Sequence, residues 1–309
     1  MPLKLPFIVI NIVCYYLDVE YAIQYIVLFI KGEYMKKFIT LVTVDFSKSS
    51  SIVLEKAIDF TRELGGEVHV VHIVEESFFS SNHSFDSMKA SGFAKLKEEF
   101  SSIKDDNYHC VSGKIKVEVA NVAKTINADV VIIGSSGETH FLSDLIMGSH
   151  TKEIIKYSSV PVLVVKNSHE LKYKDILILT DLSDESKSAI EKVVPMFPES
   201  NVKLINLYYL PIDGRINTYG FNAKDVLEYQ KSVESNSKNR ADSFLDSLDL
   251  PNDAKVSILA LKSSLNPKLF KQEVGEINFD LLILHATQNI SFFAFDIIEN
   301  SDVDLFIVK

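Results

Sequence analysis

From Met35 onward, short apolar runs alternate with stretches whose apolar residues recur at helical spacing. Phe38 to Val44 is apolar and β-branched, which predicts a buried strand. The turn Asp45-Phe46-Ser47 follows, with residue types that cap helices. Val53, Leu54, Ala57, Ile58 and Leu64 then mark one helix face, closed by Gly65-Gly66. Residues 68–74 predict a second strand, residues 93–103 the end of a charged helix, and Cys110-Val111 a short strand ending at Gly113. Ile115, Val119, Val122 and Ile126 mark another helix. Residues 129–133 predict a strand that runs directly into Gly134, and residues 162–165 a last one after Pro161. This alternation predicts a parallel, doubly wound α/β sheet, and all-apolar strands fit a sheet covered on both faces.

The pattern then repeats. A shift of 136 positions brings Asp45 onto Asp181, Ser47 onto Ser183, Ser50 onto Ser186 and Glu55-Lys56 onto Glu191-Lys192. Asp280 to Leu284 restates Asp129 to Ile133, and Leu305 to Lys309 restates Val162 to Lys166. Three segments aligned in one order predict a tandem duplication, with domains at 35–168 and 169–309.

Residues 1–34 do not follow this pattern. Phe7 to Leu17 and Tyr21 to Ile30 are apolar, but Asp18 and Glu20 lie between them. Each acid would cost about 2.5–3.5 kcal/mol at the centre of a membrane helix, which disfavours a spanning segment. Three readings stand for this stretch: upstream sequence before a working start at Met35, a membrane-associated anchor, or an extra packed element. A membrane partner is the weaker expectation.

Net charge is −10, so no general attraction to nucleic acid is expected. The two cysteines, Cys14 and Cys110, form no CxxC, and no HxxxH pair occurs. That argues against a disulfide framework and a metal site and points to the cytoplasm.

The segment that carries chemistry is Gly134-Ser135-Ser136-Gly137, followed ten residues later by Gly148-Ser149. It leaves a strand and opens toward a helix, at the sheet edge where doubly wound folds bind ligands. Glycines let backbone N–H groups approach a phosphate, and a helix N-terminus favours negative charge. No lysine follows as in a Walker loop. The bland readings are turn glycines, Ser149 as a helix cap, and Asp45 as a cap for the helix at Ser50.

At these residues the chain resembles the universal stress protein family, in which a strand ends in Asp, a later GxxG is followed by nine residues and G(S/T), and a helix and a strand with Pro at its start come next. Asp45, Gly134, Gly137, Gly148, Ser149 and Pro161 fill those positions, with ten residues in place of nine. The resemblance implies two tandem Rossmann-like domains, related to the adenine nucleotide alpha hydrolase fold, joined as a pseudo-dimer within one chain. Their final strands, Val162 to Val165 and Leu305 to Val308, would pair; a homodimer is left open. It implies ATP or a related adenine nucleotide as ligand, with magnesium undecided. Val44 and Asp45 would lie by the ribose or base, Ile73 on the base, and Ile133, Gly134, Ser136 and Gly137 along the ribose and phosphates. Gly148, Ser149, His150 and Thr151 would cradle the phosphates. The second repeat reads His285-Ala286-Thr287-Gln288 where the first has its glycines, so it is expected to be degenerate, with Asp181 kept as a cap. No nucleophile or general base accompanies the loop. A stress-response nucleotide sensor is the leading expectation, with a nucleotide-free interaction module or a slow ATP hydrolase as alternatives.

Overall fold

The computed structural model describes residues 37–74, 84–135, 147–166, 171–210, 222–263, 266, 270, 272–275, 277–286 and 292–309. Residues 1–38 and 39–309 are separate units, and only Lys37 and Phe38 of the first are described. The readings of residues 1–34 therefore fall outside the described residues, as do Ser136 and Gly137.

In the second unit the chain runs β1 (Ile39–Thr43), α1 (Lys48–Glu63), β2 (Glu67–Val74), α2 (Phe85–Glu99), β3 (Tyr108–Ser112), α3 (Ile115–Thr125), β4 (Val130–Gly134), α4 (Ser149–Tyr157) and β5 (Val162–Val165). It continues through β6 (Asp175–Leu179), α5 (Asp184–Val193), β7 (Asn201–Tyr208), α6 (Ala223–Asp246), β8 (Lys255–Lys262), β9 (Leu281–His285), α7 (Phe292–Asn300) and β10 (Asp304–Val308). The ten strands form one sheet in the order β3-β2-β1-β4-β5-β10-β9-β6-β7-β8. The first five strands and the last five thus carry the same order, 3-2-1-4-5 and 8-7-6-9-10. Every described pairing is parallel except one: β5 and β10 run antiparallel, with Leu305 opposite Val164, Phe306 opposite Leu163 and Ile307 opposite Val162.

The apolar runs form strands because both faces are covered. Val162, Leu163, Val164, Leu305 and Ile307 have no exposure, and each such side chain contributes about 1.5–3 kcal/mol by its removal from water. One core cluster crosses the whole sheet, joining Leu41, Val131 and Val164 to Leu305, Leu282, Leu177 and Ile205. Val119, Val122, Ile154 and Ile155 cover it on the first five strands, and Ile297 and Ile298 on the last five. Val53, Leu54, Ala57 and Phe60 bury the inner stripe of α1.

The repeat reaches individual hydrogen bonds. The Asp129 carboxylate accepts from Ile39 N–H, and that of Asp280 from Asp175 N–H. Ser158 bonds across to the Val160 backbone, and Ser301 to that of Val303. Ser135 N–H donates to Val165 and Ala286 N–H to Val308. Even strain is repeated: Phe46 and Leu182 have φ of 61° and 64°, where side chains are seldom found. No described helix is long and apolar enough to cross a membrane.

Candidate nucleotide site

The strand order reverses between β1 and β4, the switch point at which open α/β sheets hold ligands beyond the strands' C-terminal ends. Val44-Asp45 leaves β1 there, and Ile133-Gly134 ends β4 beside it. Val44 is buried and donates its N–H to Val71. Ile73 lies near the end of β2, half-buried against the same core. Ile133 is buried within β4, and Gly134 lies opposite Val165.

Asp45 is exposed at this edge. Its Oδ1 accepts from Ser47 N–H (3.0 Å) and the Ser47 hydroxyl (2.5 Å). Ser47 Oγ in turn accepts from Ser50 N–H, so Ser47 caps α1 and Asp45 holds Ser47. Burial pushes the Asp45 carboxyl up, but the Ser47 donors outweigh it and hold the group below its ordinary range. The second repeat has the same device: Asp181 accepts from Ser183 N–H and hydroxyl, Ser183 caps α5, and the Asp181 carboxyl is likewise held low.

The start of α4 differs from both. Its N-cap is Gly148, which makes no side-chain cap hydrogen bond, and its first turn holds no acid. Ser149, expected as a possible cap, is the first helical residue instead. Gly148 has φ −59° and ψ 151°, which any residue adopts, so the turn does not require glycine there. Its N–H is fixed by the Ser135 carbonyl at 2.9 Å. Ser149 and His150 are exposed, and His150 lies near the Glu153 carboxylate, which a hydrogen bond from Lys116 holds low. Thr151 is buried, and its hydroxyl donates to Gly134 (3.1 Å) and Ser135 (3.3 Å) carbonyls. It braces the end of β4 against α4.

Two features of the rim were not predicted from sequence. His72 Nδ1 lies 2.9 Å from the Val44 carbonyl, where Asn206 Nδ2 donates to Thr180 in the second repeat. A carbonyl oxygen only accepts, so His72 Nδ1 is the donor in this contact. Lys95 of α2 reaches the Phe46 carbonyl at 3.3 Å and lies over its ring. Helix spacing around Leu96 would have placed Lys95 outward, but not toward this turn. No group of three His, Cys, Asp or Glu among the described residues could hold a metal ion.

Residues 39–166 match the universal stress protein family. Universal stress protein MJ0577 of Methanocaldococcus jannaschii is 27% identical over 154 residues, covering 42% of this chain and 94% of that protein. Two solved structures share the fold over nearly the whole chain. A functionally unknown protein, PA1789 of Pseudomonas aeruginosa, has a TM-score of 0.60 at 10% identity, covering 89% of this chain and 93% of its own. A universal stress protein of Archaeoglobus fulgidus has a TM-score of 0.56 at 18% identity, covering 88% and 96%.

Proposed function

The chain belongs to the universal stress protein family through residues 39–166, and on that premise we propose that it binds an adenine nucleotide between β1 and β4 and acts by conformation or partner choice. The observation that carries this reading is Gly148. A glycine stands where the backbone does not need one, in front of a helix with no side-chain cap. The missing Cβ leaves room for a ligand, and the N–H groups of a first turn that its cap residue does not bond attract an anion. Ile73 offers the base an apolar surface, and Asp45 a carboxylate that stays ionised. ATP is the member of the class that a bare helix end and a glycine approach suit best, because both favour phosphate charge. The second repeat then acts as a ligand-free structural partner. The free, buried thiol of Cys110 suits action in the cytoplasm.

A nucleotide-free interaction module is the competing reading. The observation in its favour is Thr151, whose hydroxyl is spent on backbone carbonyls.

Equilibrium binding of fluorescent ATP to the full chain and to Gly148→Tyr decides between them. The φ and ψ of Gly148 allow tyrosine, so the variant folds, as circular dichroism will check. Binding by the parent chain, weakened about a hundredfold or more in the variant, supports the nucleotide reading; about 2.7 kcal/mol corresponds to that factor. No binding by the parent supports the module. Phosphate release over hours then separates a sensor from a slow hydrolase.

A further inference from the structure

The pairing of β5 with β10 has a property that neither repeat shows alone. Leu163 and Phe306 face each other, and they are each other's counterparts in the duplication. The seam therefore has local twofold symmetry, and β5 laid on β5 of a second copy would keep the same register. Backbone hydrogen bonds and apolar packing do not forbid such self-pairing. The charged side chains around the seam do not share its symmetry.

Asp304 is 3% exposed. Its Oδ1 accepts from Lys166 N–H at 2.7 Å, and its Oδ2 from the Tyr173 hydroxyl at 2.9 Å. The ammonium groups of Lys56 and Lys166 both lie in its field. Lys166 Nζ also donates to the Ile298 and Ser301 carbonyls at the end of α7. Lys152 of α4 pairs with Glu299 of α7 at 2.5 Å. Around β5 and β10 the first repeat thus supplies the cations and the second the carboxylates; away from these strands, Lys172 and Glu63 pair in the opposite sense at 3.1 Å, half-exposed and outside the seam.

The duplication shows what self-pairing would bring together. Asp304 corresponds to Pro161, so β5 on β5 takes the Asp304 carboxylate from both lysines: Lys56 keeps only its neighbour Glu55, and Lys166 loses Glu299 as well. Glu299 corresponds to Lys156, so Lys152 would meet a lysine. A buried ammonium without its carboxylate and like charges face to face both oppose that assembly.

We propose that the seam is charge-coded, so that each repeat accepts only the other as its partner, and the chain closes on itself and not on a second copy through β5. The cations at Lys56, Lys152 and Lys166 and the anions at Glu299 and Asp304 form the code. It does not depend on nucleotide binding.

Sedimentation velocity and hydrogen exchange of the full chain test the code in four forms: unaltered, Lys152→Glu, Glu299→Lys, and the exchanged pair. The unaltered chain should be a monomer with protected amides at residues 162–165 and 305–308. Each single reversal should lower that protection about tenfold and promote association through the uncovered strands. The exchanged pair should restore both properties, which also shows that neither reversal acts by general unfolding. The proposal is overturned if the unaltered chain dimerises through β5, if the single reversals change nothing, or if the exchanged pair stays as open as the singles.

Discussion

The turn after β1 and the turn after β6 are nearly the same object, whereas the ends of β4 and β9 are not. After β1 and β6, an Asp holds a Ser, the Ser caps a helix, and the intervening residue has positive φ. After β4, Gly134 leads to a bare helix start at Gly148. After β9, His285 and Ala286 stand in place of Gly134 and Ser135. The second repeat has what folds a repeat and lacks the glycines on which the proposed nucleotide site of the first depends. Asp45 alone is therefore poor evidence of a site, because Asp181 makes the same bonds where no glycine loop follows.

The largest expected difference between the two capped turns concerns Ser186. Its hydroxyl is buried and lies 2.8 Å from the Thr180 hydroxyl. At the matching place the strand has Val44 instead of Thr180, and the Ser50 hydroxyl bonds to Ser47 and Asp45 with no strand hydroxyl to meet. Ser186→Ala should cost about 1–2 kcal/mol and Ser50→Ala less than about 1 kcal/mol, because only the first strands a buried polar partner. Urea unfolding of both variants measures the gap, and equal costs would break the comparison.

A smaller effect separates folding from binding. Asp45→Ala and Asp181→Ala should each lower stability by about 0.5–1 kcal/mol, through a loosened cap. Only Asp45→Ala should also weaken fluorescent ATP binding. If both leave affinity unchanged, Asp45 serves its helix alone.

The smallest effect is in pH. His69 Nδ1 lies 2.9 Å from His109 Nε2 in a stacked pair, where the second repeat has Lys203 and Leu259. Burial lowers His69, against the pull of Glu67; burial also lowers His109, with help from His69 and Lys89. The native state therefore binds fewer protons than the unfolded chain. Stability from this pair is complete above the ordinary histidine range and is lost as pH falls below it. Urea midpoints at about pH 7.5 and about pH 5.5 should differ less in His109→Leu than in the parent chain.

Much of this was legible in sequence because strands covered on both faces leave an apolar signature. The runs at 38–44, 129–133 and 162–165 read correctly to within a few residues. The repeat was legible because its capping residues recur in order. Boundaries held by side-chain geometry were harder. Asp45 and Ser47 are both capping types, and only the hydrogen bonds show that Ser47 takes the helix. The start of β3 at Tyr108 lay hidden, because Tyr108 and His109 precede the apolar pair that marked the strand. Thr151 read as a phosphate ligand, since nothing in the chain order tells a hydroxyl turned outward from one turned onto Gly134. Asp304 escaped altogether. It reads as a polar lead-in to an apolar strand, and its partners Lys166 and Tyr173 lie 138 and 131 positions away.

The unbroken run of ten strands has a thermal consequence. Two repeats joined by a tether would melt as two bodies, each at its own temperature. Here the hydrogen-bonded ladder and the apolar cluster both continue through β5 and β10. Uncovering either repeat strips the other of a fully buried strand face, so heat meets a single cooperative body built from a doubled gene product.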